Sequence, residues 1–400
     1  MWQSENKRNL FFVDAEVSVT SGKVNDIGSL SETGNVFHSS YVSDFMHFVA
    51  SADFVCGHNL IHHDLKYLWG EKERYPFELV DTLYLSPLLF PKKPYHKLLK
   101  DDKLQVDEFN NPVNDCEKAK ALLYDEINAF HALPPIQQQI YYSLLNPIRE
   151  FQGFFRFIGY ASSTEGVVEQ IKLLFGNSLC VNKNIASLVE KYPVELAYSL
   201  ALIGTEDFTS LTPPWLLRHY PKIESTIKYL CNTPCQGGCP YCKNRLDIYA
   251  GLKRIFGYSK FREFEGEPMQ EQAVQAAVDG KSLLTIFPTG GGKSLTFQLP
   301  ALLAGQAMHG LTVILSPLQS LMKDQVDNLA DRGICEAVSI NGLLDPISRA
   351  DAIDRVANGS ANLLYISPEM LRSKTVEKLL LSRNVVRFVI DEAHCFSAWG

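Results

Sequence analysis

Ser282-Leu283-Leu284-Thr285-Ile286-Phe287-Pro288 runs straight into Thr289-Gly290-Gly291-Gly292-Lys293-Ser294, and a helical pattern then continues through Leu303. An apolar strand, a glycine-rich turn and a helix start in that order form a phosphate-binding context. Glycines let successive backbone N–H groups point inward at phosphate oxygens, and the helix N-terminus adds a favourable partial charge. Lys293 stands where it reaches the β and γ phosphates of ATP, and Ser294 where a hydroxyl holds Mg2+. The pattern G-x-x-x-x-G-K-[ST] has Phe287 at its first glycine, so the competing reading is an ordinary glycine-rich surface loop.

Sequence further along favours the phosphate loop. Val385 to Ile390 reads as a buried strand that ends in Asp391-Glu392-Ala393-His394. A carboxylate at a strand end can hold Mg2+, and a second beside it can orient an attacking water. Thr312 to Leu315 runs into Ser316-Pro317-Leu318, and Asn362 to Ile366 into Ser367-Pro368-Glu369. Ligand sites of parallel α/β sheets collect at such strand ends.

With PTGGGKS, SPLQSLMKDQV, YISPEML and DEAHCFSAWG in one order, residues 252–400 resemble the first RecA-like lobe of RecQ-family helicases. The stretch Leu252 to Arg262 resembles the adenine-reading motif of that family. The resemblance implies that Tyr258 and Arg262 flank the adenine and that a glutamine reads its edge. Glu265 stands at the family's usual spacing; counting back from Gly280 favours Gln270, with about five extra residues in the loop. Cys395 to Trp399 resembles the start of the aromatic loop that couples DNA contact to hydrolysis, which gives His394 and Trp399 a coupling role. The family's second motor lobe, with its arginine finger, is not among these motifs. The chain therefore reads as a fragment of a longer protein, expected by itself to bind ATP weakly and to separate no strands.

Residues 1–132 carry a second α/β pattern. Leu10-Phe11-Phe12-Val13 reads as a strand closed by Asp14-Ala15-Glu16, and alternation puts both carboxylates on one face. Asp64 follows Gly57-His58-Asn59, Asp81-Thr82-Leu83 comes next, and Asp115 follows Asn110-Asn111. Four carboxylates can hold two divalent ions for in-line phosphodiester hydrolysis, although most acidic pairs are solvated surface. In order and context these motifs resemble the DEDD family of 3′–5′ exonucleases. The resemblance implies a ribonuclease H-like fold, with Asp14, Glu16, Asp64 and Asp115 binding Mg2+ or Mn2+. Lys97, Lys100 and Lys103 read equally as neighbours of a substrate strand or as a solvated helix face. Asn110 and Asn111 occupy the region where the family places its general base, and asparagine takes no proton from water near neutral pH. The domain therefore reads as a two-metal exonuclease or as a module that merely grips DNA ends.

Between these parts, residues 133–228 show helical periodicity without a chemical motif and read as a spacer. Residues 229–250 hold Cys231-x3-Cys235-x3-Cys239-x2-Cys242, four of the nine cysteines within twelve residues. Four thiolates that dense suit a metal, either structural zinc or an iron–sulfur cluster. The other five cysteines are scattered, which fits a reducing compartment better than a disulfide scaffold. The formal net charge of −7 gives no global basic footprint, so contact with a single strand or tailed duplex has to come from local patches. No run of about 18 apolar residues suggests a membrane span. The expected location is cytoplasmic, at the nucleoid if the source is bacterial. The architecture resembles Werner-type proteins, which join a DEDD exonuclease to a RecQ helicase. The sequence does not address oligomeric state.

Overall fold

The computed structural model describes residues 8–18, 20–92, 111–205, 211–288, 290–342 and 344–398. They divide into two compact units, residues 1–171 and 172–400. No helix among them is long and apolar enough to cross a membrane.

The first unit is built on strands β1 (Leu10–Val17), β2 (Val24–Ser31), β3 (Val36–Ser39), β4 (Phe54–Gly57) and β5 (Glu78–Asp81), in the order β3-β2-β1-β4-β5. β1, β2 and β3 pair antiparallel, and β4 and β5 add parallel to β1. Alternation along β1 decides what faces what. Phe11, Val13 and Ala15 enter one core with Ile27, Phe45, Val55, Leu60 and Trp69. Phe12, Asp14 and Glu16 therefore share the opposite face. The helix Pro112–Ala132 packs over β1 and β2, and its Lys120 ammonium lies 5.9 Å from the Phe12 ring centre.

The helical spacer expected over 133–228 does not stand as one body. Its first helices, Pro135–Leu145 and Arg149–Ile158, belong to the first unit. Gly153 lies against β5 so closely that an added Cβ would fall 1.9 Å from the Leu79 carbonyl oxygen. That close approach needs a residue without a side chain, which periodicity alone does not reveal. Gly153→Ala is expected to destabilise the first unit by upward of about 1–3 kcal/mol through overpacking. Denaturant melts of the two proteins check this, and an unchanged midpoint would contradict the packing.

The second unit contains the rest of the spacer and a parallel sheet. Its strands are β6 (Leu311–Leu315), β7 (Ala337–Ile340), β8 (Leu363–Ile366) and β9 (Val385–Ile390), in the order β7-β8-β6-β9. β6 and β8 are fully buried, as expected of strands covered on both faces. β9 is not the buried strand expected. It ends the sheet, and Phe388 and Ile390 are exposed. The run Ser282 to Phe287 likewise forms no strand, and Leu284 and Ile286 are each 79% exposed. Apolar character alone does not make a strand; a run also needs a ladder partner, and among the described residues this one pairs with none.

Candidate functional site: a phosphate loop and an acidic cluster

The helix Leu295–Met308 begins directly after Ser294, and the turn before it closes through Gly291 N–H donating to the Pro288 carbonyl at 2.9 Å. Gly292 has φ +76°, a conformation that favours glycine, and an added Cβ would lie 2.7 Å from Gln270 Nε2. Gln270 is buried here. Its Nε2 donates to the Gly292 carbonyl at 3.0 Å, and its Oε1 accepts from the Arg262 backbone N–H at 2.8 Å. The Arg262 guanidinium donates to the Gly290 carbonyl at 2.7 Å. Glu265 lies instead in a left-handed turn at φ +51°. Tyr258 and Arg262 line a cavity of about 370 Å3 together with Gln270, Gly292 and Ser294. That size lies within the range of small-molecule sites. Arg332, which no motif singled out, lies over the Tyr258 ring at 5.4 Å.

Across the loop, Lys293 Nζ stands 3.3 Å from Glu392 Oε1. Asp391 is held at the end of β9 by its N–H donating to the Leu315 carbonyl at 2.9 Å. Burial raises the Asp391 carboxyl above the ordinary range, against the pull of the Glu392 N–H that donates to it at 3.0 Å. Glu392 has φ +52°, a conformation seldom held by a residue with a side chain. His394 Nδ1 lies 3.3 Å from Glu392 Oε2. Sequence reasoning missed the support of Ser294. Gln325 Nε2 donates to Ser294 Oγ at 2.8 Å, and Gln298 Nε2 donates to Gln325 Oε1 at 2.8 Å and to the Tyr365 hydroxyl at 3.0 Å. Gln325 lies inside SPLQSLMKDQV, so the stretch was visible while the pairing was not. Thr289 and Trp399 lie outside the described residues.

Similarity to known proteins falls on this unit. Residues 267–400 match the DEAD/DEAH box helicase family. This segment is similar to a helicase domain. Its likeness is to the RecQ group. The chain is 41% identical over 149 residues to the ATP-dependent DNA helicase RecQ of Haemophilus influenzae, covering 37% of this chain and 22% of that protein. It is 39% identical over 160 residues to the ATP-dependent helicase SGS1 of Saccharomyces cerevisiae, covering 38% and 11%. It is 39% identical over 149 residues to the probable ATP-dependent DNA helicase RecS of Bacillus subtilis, covering 37% and 28%. The chain thus spans between 11% and 28% of the length of these three relatives. The parallel sheet is the RecA-like fold of such a helicase domain, and the family implies ATP and Mg2+. The residues fit both. The Lys293 amine stands against the Glu392 carboxylate, and Ser294 and Asp391 are their neighbours in the chain, so Ser294 and Asp391 would hold the ion, which would neutralise phosphate charge.

In the first unit, Asp14, Glu16 and Asp115 offer oxygens within 4.8 Å of one another. Asp115 arrives in the first turn of the helix Pro112–Ala132, which Asn111 caps by accepting from Val113 N–H at 3.0 Å. Cys116 Sγ bonds the Gly28 carbonyl at 3.3 Å and pins that turn to β2. Asp64 is buried and accepts from the Ala15 N–H and from His63 Nδ1, the latter at 2.8 Å. Asp81 is not part of the cluster but of its frame. Its buried carboxylate accepts from Asn59, Ile61 and Leu83 N–H groups at 2.9, 3.0 and 3.0 Å, fixing the left-handed turn at Asn59 that leads to Asp64. Asn110, Lys97, Lys100 and Lys103 lie outside the described residues.

Burial, then the charges of Asp64, Asp115 and Glu16, push the Asp14 carboxyl up to about 8 from 3.8. The folded unit therefore keeps a proton that the unfolded chain has released. Between those two values the folded state binds more protons, so stability falls as pH rises through the window. In chelator, melts of the chain at increasing pH should show unfolding of this unit at progressively lower temperature. Mg2+ or Mn2+ should flatten that slope by replacing the proton. A chelated protein that gains stability towards pH 8 would contradict the arrangement.

The cysteines differ from the expected set. Cys180, Cys235, Cys239 and Cys242 place their sulfurs within 4.8 Å of one another, and Cys231 is not among them. Cys231 ends the helix Ile223–Cys231 with its Sγ turned to the Ser178 carbonyl at 3.5 Å. Cys180 takes the fourth place because its N–H donates to the Leu230 carbonyl at 2.9 Å, which lays its loop beside the cluster. No local spacing announces a partner 55 residues upstream of Cys235. The Cys235 thiol is pushed down to about 6, foremost by the Cys239 backbone N–H.

Proposed function

We propose that the chain is part of a RecQ-like ATP-dependent DNA helicase acting in DNA repair, recombination or defence, with DNA as partner and a cytoplasmic or nucleoid location. The observation that carries this reading is the placement of Lys293 against Glu392, with Ser294 and Asp391 beside them, in a domain similar to RecQ helicases. Lys293 would contact the β and γ phosphates, Glu392 would orient the attacking water, and Tyr258, Arg262 and Gln270 would hold the base. His394 and Trp399 would couple strand contact to turnover. The test is titration of residues 1–400 with a fluorescent ATP analogue in Mg2+, with unlabelled nucleotides as competitors. Saturable, Mg2+-dependent binding displaced better by ATP than by GTP is expected, and no binding would overturn the reading.

For the first unit we propose a DEDD-type two-metal 3′–5′ exonuclease with Asp14, Glu16, Asp64 and Asp115 as ligands. The strand order β3-β2-β1-β4-β5, with one parallel half, supports a ribonuclease H-like fold. The second reading is an end-binding module without cleavage. It is favoured by Asn111, whose side chain is already used in capping a helix and supplies no base. Incubating the chain with Mn2+ and end-labelled single strands separates the two. Shortened products support the nuclease, and retarded but intact strands support the module.

A further inference from the structure

We propose that Cys180, Cys235, Cys239 and Cys242 bind a single tetrahedral zinc ion, which clips the loop at residue 180 to the segment leading into the helicase domain. Four thiolates about 2.3 Å from one tetrahedral ion stand about 3.8 Å apart. Cys180 and Cys239 sulfurs are 3.7 Å apart, and all four lie within 4.8 Å of one another. In a four-iron cluster each thiolate sits on a different iron, so the sulfurs would be spread more widely. The surroundings also suit thiolates. Cys235 Sγ accepts from the Cys239 N–H at 3.3 Å and from Asn182 Nδ2 at 3.4 Å. Such outer donors orient ligands and offset their charge.

The place of the site gives it a structural role. Cys242 opens the helical turn Cys242–Leu246, which continues into Ile248–Gly251. Ile248 and Leu252 share a core with Leu299 and Leu303 on the helix that follows the phosphate loop. An ion here closes the 54 residues between Cys180 and Cys235 into a loop and ties it to that helix.

The test uses the purified chain of residues 1–400. Elemental analysis should give one zinc per chain, and the Co2+-exchanged protein should show the strong visible bands of tetrahedral thiolate cobalt. Cys180→Ser should weaken zinc retention against a chelator by at least about 10–100-fold, the loss that even indirect partners of a metal produce. Cys231→Ser should leave it unchanged. Should Cys180→Ser fail to fold, thiol alkylation of the wild type before and after chelation reads the same point by mass spectrometry. Protection of Cys180 with the other three, released by chelation, supports the site. Zinc retained by Cys180→Ser, a Cys180 that alkylates freely in the metal-loaded protein, or iron and sulfide in cluster stoichiometry would each overturn it.

Discussion

Lys293→Ala is expected to abolish the proposed nucleotide-dependent activity, with ATP turnover falling by at least about 10²–10³-fold, the usual cost of removing one group that stabilises transition-state charge. Among the described residues lining the cavity, Arg262 is committed to the Gly290 carbonyl and Arg332 lies over Tyr258, while Lys293 is the cation placed against Glu392. The variant also leaves Glu392 without its cation at 3.3 Å, close to Asp391, whose carboxyl is already raised. Phosphates would then meet uncompensated negative charge. Steady-state ATPase and nucleotide titration measure the two effects, and near-wild-type hydrolysis would show that the loop is not a phosphate site.

Asp14→Asn should remove the proposed Mn2+-dependent shortening of single strands, a loss of several kcal/mol of transition-state stabilisation or about 10²–10⁴ in rate. Burial acts first on the Asp14 carboxyl, and the charges of Asp64, Asp115 and Glu16 then act on it as well. The same substitution should raise thermal stability in chelator, because a buried amide has no charge to give up by taking a proton on folding, and should abolish the stabilisation by Mn2+. A variant that is less stable in chelator yet still gains from Mn2+ would place the ion elsewhere. This pair of measurements stands even if the unit only grips strand ends.

The sequence made visible whatever depends on local order. Asp14 and Glu16 share a face because strands alternate, and the phosphate loop is continuous in the chain. What stayed hidden depends on contacts distant in sequence. Cys180 reaches the cluster only through the fold, Gln325 finds Ser294 across 31 residues, and Gly153 meets β5 across the boundary proposed for the spacer. The run Ser282 to Phe287 shows the converse, where strong apolar character met no ladder partner among the described residues. Gln270 rather than Glu265 was favoured from loop length, and the structure puts Gln270 against the loop.

The left-handed backbone at Glu392 also shapes how the protein can evolve. A side chain in that conformation costs of order 1–3 kcal/mol, which glycine would recover. Selection for heat resistance alone should therefore enrich Glu392→Gly, and selection for ATP turnover should purge it. Under the proposed function, durability and chemistry pull in opposite directions at position 392, so a library screened only for folding would drift toward loss of that carboxylate.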